Sequence, residues 1–581
     1  MKFLEVSSVY KNLGFLCVLC ASVVNGFALD REAFTFTNYD LKVQVEPEQH
    51  RLGVRGTITL RNDTQTPQKI AVLQVSSSLD WRSVKAGDKA VQFVTQPYAS
   101  DIDHTGGLSE AIVTLPQAVA PQGTVELEIA YEGIIQLDAT RLTRIDTPVE
   151  AASSTDWDQI GPSFTAVRGV GYVAWYPIAT AAANLSEGNS LFEVLGRWKA
   201  RESASRMHLH ISVSRDDGEP PQLLVVNQAS CQVFYEAMSR SSVSSADCTY
   251  QPLGLLAPVF VMGTYGTVDR PSVRIFNLNS HAASAEVYAE ATEKVVPLVT
   301  DWFGAPREKA QTADLADHDA AAFESGALLL TPISSDNSKQ AGLAAAHQLT
   351  HASFLSFRPW IEEGLAHFSQ ALYVEREKGR PAATEYMGLH RSALGQIEAT
   401  TTVPRSEDEA NRSLVNTTSE ELYRSKAMYV WWMLRDMVGE AALKKAIAAY
   451  RPEQDKEPSY MPRLIGAQTQ RDLEWFFDDW VYRDRGLPDF KVESAFPRKT
   501  MTGSFMLTIT LDNLGSAGAE VPVIVKFKGG EIAKRLEVRA KDKAVIRIEV
   551  PGDPQEIVVN DGSVPESNTT NNTFKIEATD K

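Results

Sequence analysis

Between residues 29 and 270 apolar and polar positions alternate in short runs: YDLKVQV, VRGTITLRN, KIAVLQV, VELEIAYEG, RMHLHISVS and QLLVVN, separated by Gly, Pro, Asp and Asn. A period of two marks half-buried strands and predicts a large N-terminal β-sandwich-like domain over 29–270. Beyond Arg270 the apolar spacing lengthens to three and four residues, in AEVYAEATEKVVPLVTDWFG, SKQAGLAAAHQLTHASFLSF, PWIEEGLAHFSQALYVEREK and YRSKAMYVWWMLRDMVGEAALKKAIAAY. That is the helical period, so residues 271–490 are expected to form a mainly α domain with Trp431, Trp432 and Met433 in its core. Alternation returns from 491 in SFMLTITLDN, VPVIVKFKG, AVIRIEV and QEIVVN, predicting a small C-terminal β-sandwich over 491–581. The fold class is thus multidomain, β plus α.

Composition adds compartment and partners. The chain has 581 residues, 43% of them hydrophobic and 23% charged, which is enough globular material for several domains. Its net charge of -17 is spread along the chain, which sets nucleic acid aside as a partner. In the first 28 residues, Lys2 and Lys11 precede the apolar LGFLCVLCASVV, and Gly26 and Ala28 supply small residues for cleavage. This reads as a signal peptide over 1–28 and predicts a secreted or periplasmic product. No later stretch reaches the roughly 20 apolar residues of a membrane span. Cys17 and Cys20 would leave with the signal peptide, and Cys231 and Cys248 remain. Two thiols in an oxidising compartment are expected to pair, with two buried free thiols as the alternative. His208 and His210 share a strand face with no third ligand near them in sequence, so a solvated or packed face is expected there.

Candidate chemistry centres on AAAHQLTHASF, residues 344–354. On a helix, His347 and His351 lie one turn apart and can share a zinc ion at about 2.0–2.1 Å. A third ligand is available in RPWIEEGLAHF, where Pro359 suits a helix start and Glu363 falls in the first turns. A helix, a short loop and a second helix can return Glu363 to the metal. The expected set is one Zn2+ per chain on two histidines and one glutamate, with a position left open for water or substrate.

HQLTH followed by WIEEGLA resembles the gluzincin aminopeptidases of the membrane alanyl aminopeptidase type, whose pattern is HExxH followed by WLNEGFA. The eleven residues between His351 and Glu363 make a shorter gap than the family's. DWFGAPREKAQTADLADHDAAAFESGALLL resembles the family stretch leading into its GAMEN motif, with AAFES as the counterpart. The resemblance implies that Glu324 grips the free α-amine of a substrate; an ordinary strand-edge glutamate is the alternative. LYRSKAMYVWWMLRDMVGE resembles the segment whose tyrosine stabilises an oxyanion, which implies that role for Tyr423. Its spacing to Lys426 is one residue longer than the family's, placing Arg424 at the matching position and leaving a packed helix residue as the other reading of Tyr423. FFDDWVYRDRGLPDF matches the way these catalytic domains end. The likeness covers nearly the whole mature chain and implies a thermolysin-like zinc-peptidase domain between the two β domains. Its ligand would be a peptide with a free N-terminus.

Gln348 stands where the family has the glutamate that accepts a proton from zinc-activated water. An amide cannot do so. Its near-isosteric shape is expected to keep zinc bound and to hydrogen-bond the water, while acid–base help worth roughly 10²- to 10⁴-fold is lost. Restoring the carboxylate with Gln348→Glu is therefore expected to raise activity. Glu362 points about 100° around the helix from Glu363. His367, on the face of Glu363, is a candidate substitute base or a hydrogen-bonding neighbour of the ligands. Two functions stay open: a slow exported zinc aminopeptidase, and a catalytically silent zinc-binding pseudopeptidase that binds or scaffolds peptides.

Overall fold

In a computed structural model, the described residues span 29–576, less 188–189, 216–222, 228–229, 238–241, 334–337, 402–412, 416, 418, 420 and 484. The expected signal peptide lies outside them.

Alternation in the sequence becomes alternation in burial. Along Phe34–Glu46, Leu41, Val43 and Val45 point inward while Lys42 and Gln44 face solvent. This strand pairs antiparallel with Arg51–Asn62 and parallel with Arg206–Arg215 inside an eight-stranded sheet. A three-stranded sheet of Gln68–Ser76, Gly107–Val119 and Gln92–Ala99 packs against it through one apolar core, which holds Leu41, Leu73, Val113 and Trp175. Toward one edge of the large sheet Cys231 lies opposite Cys248, and the two are joined by a disulfide. His208 sits between Asp40 and Asp247 at 3.0 Å from each, and His210 is 3.5 Å from Asp247. All four side chains are about half exposed, so this face is a solvated ion-pair ladder across three strands.

The middle region is less purely helical than its periodicity suggests. A five-stranded sheet runs in the order Gly266–Asp269, Val273–Asn277, Ala310–Asp314, Leu328–Thr331, Phe323–Ser325. Its strands are three to five residues long, too short for alternation to register. Val273–Asn277 and Ala310–Asp314 are parallel, with the helix Ala282–Phe303 as their crossover. The histidine-bearing helix Ser338–Ser353 packs on this layer through Ala345, Ala346 and Leu349, against Ala285, Ala289 and Leu329.

After a five-residue link at 354–358 comes the helix Pro359–Lys378, with proline in its first turn and Gly379 at φ 82° after its end. Trp360 stacks on Trp431 at 5.3 Å, and the Trp431 indole N–H donates to the Trp360 carbonyl at 3.1 Å. Gly364 lets the helix Ala427–Val438 come this close: a Cβ there would lie 2.7 Å from Ala427 Cβ and 2.9 Å from Trp431 Nε1. Both neighbours are buried, so Gly364→Ala is expected to destabilise the chain by about 1–3 kcal/mol through overpacking. The check is a lower urea midpoint at unchanged slope.

The same core continues into two C-terminal sheets of three and four strands, joining Trp360, Phe368, Trp432 and Trp480 to Leu507, Ile509, Val521 and Val559. Arg380 clamps the junction by pairing with both Asp436 and Asp561. No helix among the described residues is long and apolar enough to cross a membrane.

Candidate metal centre

The histidine helix turns its alanine-rich face to the sheet, and this sends His347 and His351 out together on a second side. Their Nε2 atoms face each other at 3.1 Å and each residue is 8% exposed. The short link suffices to bring Glu363 back: its Oε2 is 3.7 Å from His347 Nε2 and its Oε1 is 3.8 Å from His351 Nε2. Strand Phe323–Ser325, paired with Leu328–Thr331, sets Glu324 Oε2 at 3.3 Å from His347 Nε2. His347, His351, Glu363 and Glu324, separated by up to 39 positions in sequence, therefore converge.

Zinc bonds of about 2.0–2.1 Å at tetrahedral angles set donor atoms roughly 3.3 Å apart, and the gaps seen here bracket that value. Two imidazole nitrogens aimed at one another, faced by two carboxylates, also form a donor set in zinc's ordinary ligand chemistry. Glu324 Oε1 is buried with no hydrogen-bond partner among the described residues. The cluster fits the ion.

Its electrostatics point the same way. Burial pushes His347 down to about 3, and the charge of His351 adds to the effect. Against its own burial, His351 is held up to about 9 by the carboxylates of Glu362, Glu363 and Glu324. Burial raises Glu324 to about 8. Glu363 overcomes its burial and stays below the usual carboxylate range, because Arg424 and His351 stand beside it. Protons held among such groups are displaced when a divalent cation binds.

The surroundings include residues whose roles sequence reasoning only partly reached. Glu362 Oε1 lies 3.6 Å from His351 Nδ1, where a carboxylate fixes the ring so that Nε2 faces the centre. The 100° offset from Glu363 is what takes Glu362 to the far side of that histidine. His367 meets His347 edge-on at 4.8 Å between ring centroids, and its Nδ1 is buried without a hydrogen-bond partner among the described residues. Arg424 Nε donates to Glu363 Oε2 at 3.2 Å. It sits in the π-helical turn Glu421–Lys426, whose wider winding accommodates an added residue. Tyr423, one position earlier, is 5% exposed and packs in the helical core. Arg424, at the family-matching spacing, is thus the residue whose side chain meets Glu363.

Gln348 does not face the centre as expected. It is fully buried, and its Nε2 donates to the carbonyls of Gln311 and Ala327, both at 2.7 Å. Thr312 Oγ1 donates to its Oε1 at 3.4 Å. Both amide hydrogens are spent on backbone carbonyls, one in the strand Ala310–Asp314 and one in the turn that precedes Leu328–Thr331, so the expected hydrogen bond from Gln348 to a water at the metal is replaced by a tie between the helix and the sheet region.

No protein-family model matches the chain, and no curated protein sequence does. Among solved structures it is similar to the M1 zinc metallopeptidase of Deinococcus radiodurans, with a TM-score of 0.50 and 15% identity over 79% of this chain and 96% of that one. It is also similar to Legionella pneumophila aminopeptidase A in complex with aspartic acid, with a TM-score of 0.59 and 13% identity over 92% of this chain and 59% of that one. At these identities the likeness establishes the fold, that of the M1 zinc metallopeptidases.

Proposed function

We propose that the chain is an exported zinc-binding protein on the metallopeptidase fold, holding one zinc per chain through His347, His351 and Glu363 and lacking the proton acceptor of peptide hydrolysis. The observation that carries this reading is the commitment of the Gln348 amide to the carbonyls of Gln311 and Ala327. Zinc supplies Lewis acidity, polarising a carbonyl and lowering the pKa of water toward about 7. Around it, Glu362 orients His351 and Arg424 keeps Glu363 ionised. On this reading the protein is a pseudopeptidase that binds or scaffolds peptides. Export rests on the character of residues 1–28 and is supported by the disulfide.

One observation favours the alternative, a slow aminopeptidase. The Glu324 carboxylate stands beside the ligands, where it can pair with the ammonium group of a free peptide N-terminus. Metal analysis tests what both readings share: the purified chain should carry one zinc, and His347→Ala should lose it. Unchanged zinc in that variant would place the ion elsewhere.

A further inference from the structure

We infer that Glu324 is a fourth protein ligand of the zinc, closing the coordination position that the peptidase pattern leaves open. This rests on the zinc-binding reading above and removes the amine-gripping role from Glu324. Its Oε2 is nearer to His347 Nε2, at 3.3 Å, than either oxygen of Glu363 is to its histidine, at 3.7 and 3.8 Å. One ligand atom from each of Glu324, His347 and His351 lies within 4.8 Å of the other two. Glu363 faces the same two histidines from another side, with Oε2 at 3.7 Å from His347 Nε2 and Oε1 at 3.8 Å from His351 Nε2.

The carboxylate is also held in place. Glu324 lies opposite Leu329 in its strand pair, and its neighbours are anchored on both sides: the Phe323 ring meets Tyr172 edge-on at 5.4 Å, and Ser325 Oγ donates to the Ala257 carbonyl at 3.0 Å. Oε1, the other oxygen of this carboxylate, is buried and has no hydrogen-bond partner among the described residues, so the carboxyl group as a whole is left under-satisfied where it stands. Two neutral imidazoles and two carboxylates match the charge of a divalent ion, with the Arg424 guanidinium on Glu363 and the Glu362 carboxyl on His351 outside them. Zinc sites with four protein ligands are structural ones, and catalytic sites keep a position for water or substrate.

Two measurements on the intact chain decide it. Zinc affinity, read by chelator competition, should fall in Glu324→Gln by more than the roughly 10- to 100-fold that loss of a neighbouring hydrogen-bond partner costs. The cobalt(II)-substituted wild type, titrated with acetohydroxamate, should keep its visible spectrum because no position is open. Wild-type affinity in Glu324→Gln, or a hydroxamate-induced spectral change, overturns the assignment while leaving the three-ligand site intact. A wild type that binds no zinc at all removes the zinc-binding reading itself.

Discussion

Gln348→Glu is expected to lower the stability of the chain by about 3–5 kcal/mol and to release no peptidase activity. The reason is the direction of the side chain. Nε2 donates to the carbonyl of Gln311, in the sheet, and to that of Ala327, in the turn between two of its strands, at 2.7 Å each. A carboxylate there sets oxygen against oxygen, leaves both carbonyls without their side-chain donor and buries a charge. Each lost buried hydrogen bond costs about 1–3 kcal/mol, and protonating the glutamate would recover only one donor. Urea unfolding reads the loss, and assays on aminoacyl-naphthylamides read the absence of gain. A variant of wild-type stability with new metal-dependent turnover would show that the side chain swings to the metal.

Asp158→Ala should destabilise the fold by about 3–5 kcal/mol, because it strands a buried guanidinium. Asp158 accepts from the Arg168 backbone N–H at 2.6 Å, from Nε at 3.0 Å and from Nη2 at 2.8 Å, and both side chains are fully buried. Arg168 is sandwiched between Trp157 at 3.8 Å and Tyr172 at 3.7 Å, with the Phe323 ring at 5.6 Å. The pair thus braces the strand that presents Glu324. Removing both charges with Asp158→Ala plus Arg168→Met should recover much of the loss, since an apolar replacement leaves no orphan charge. Urea midpoints of the single and double variants measure the difference.

The parts of this architecture visible in the sequence were those governed by local period. His347 and His351 follow from one helical turn, and Glu363 from a link short enough to reverse the chain. The β regions follow from alternation, and the Cys231–Cys248 bond was expected because two cysteines remain once residues 1–28 are set aside. What escaped was nonlocal. Strands of three to five residues carry too few positions to show a period, so the sheet under the histidine helix was not visible. The residue after His347 lies about 100° around the helix. Whether that direction meets metal or sheet depends on backbone carbonyls 37 and 21 positions away. Arg424 was legible only as a spacing anomaly, which the π-helical turn explains.

The most direct test of a metal centre without a proton acceptor is turnover of aminoacyl-naphthylamides by the zinc-loaded wild type, with zinc counted on the same sample before and after chelation. The expected result is one zinc per chain and a rate at least roughly 10²-fold below the ordinary enzyme range of about 1–10³ per second. Chelator-sensitive turnover within that range would contradict it, and would mean that a residue other than Gln348 carries the proton.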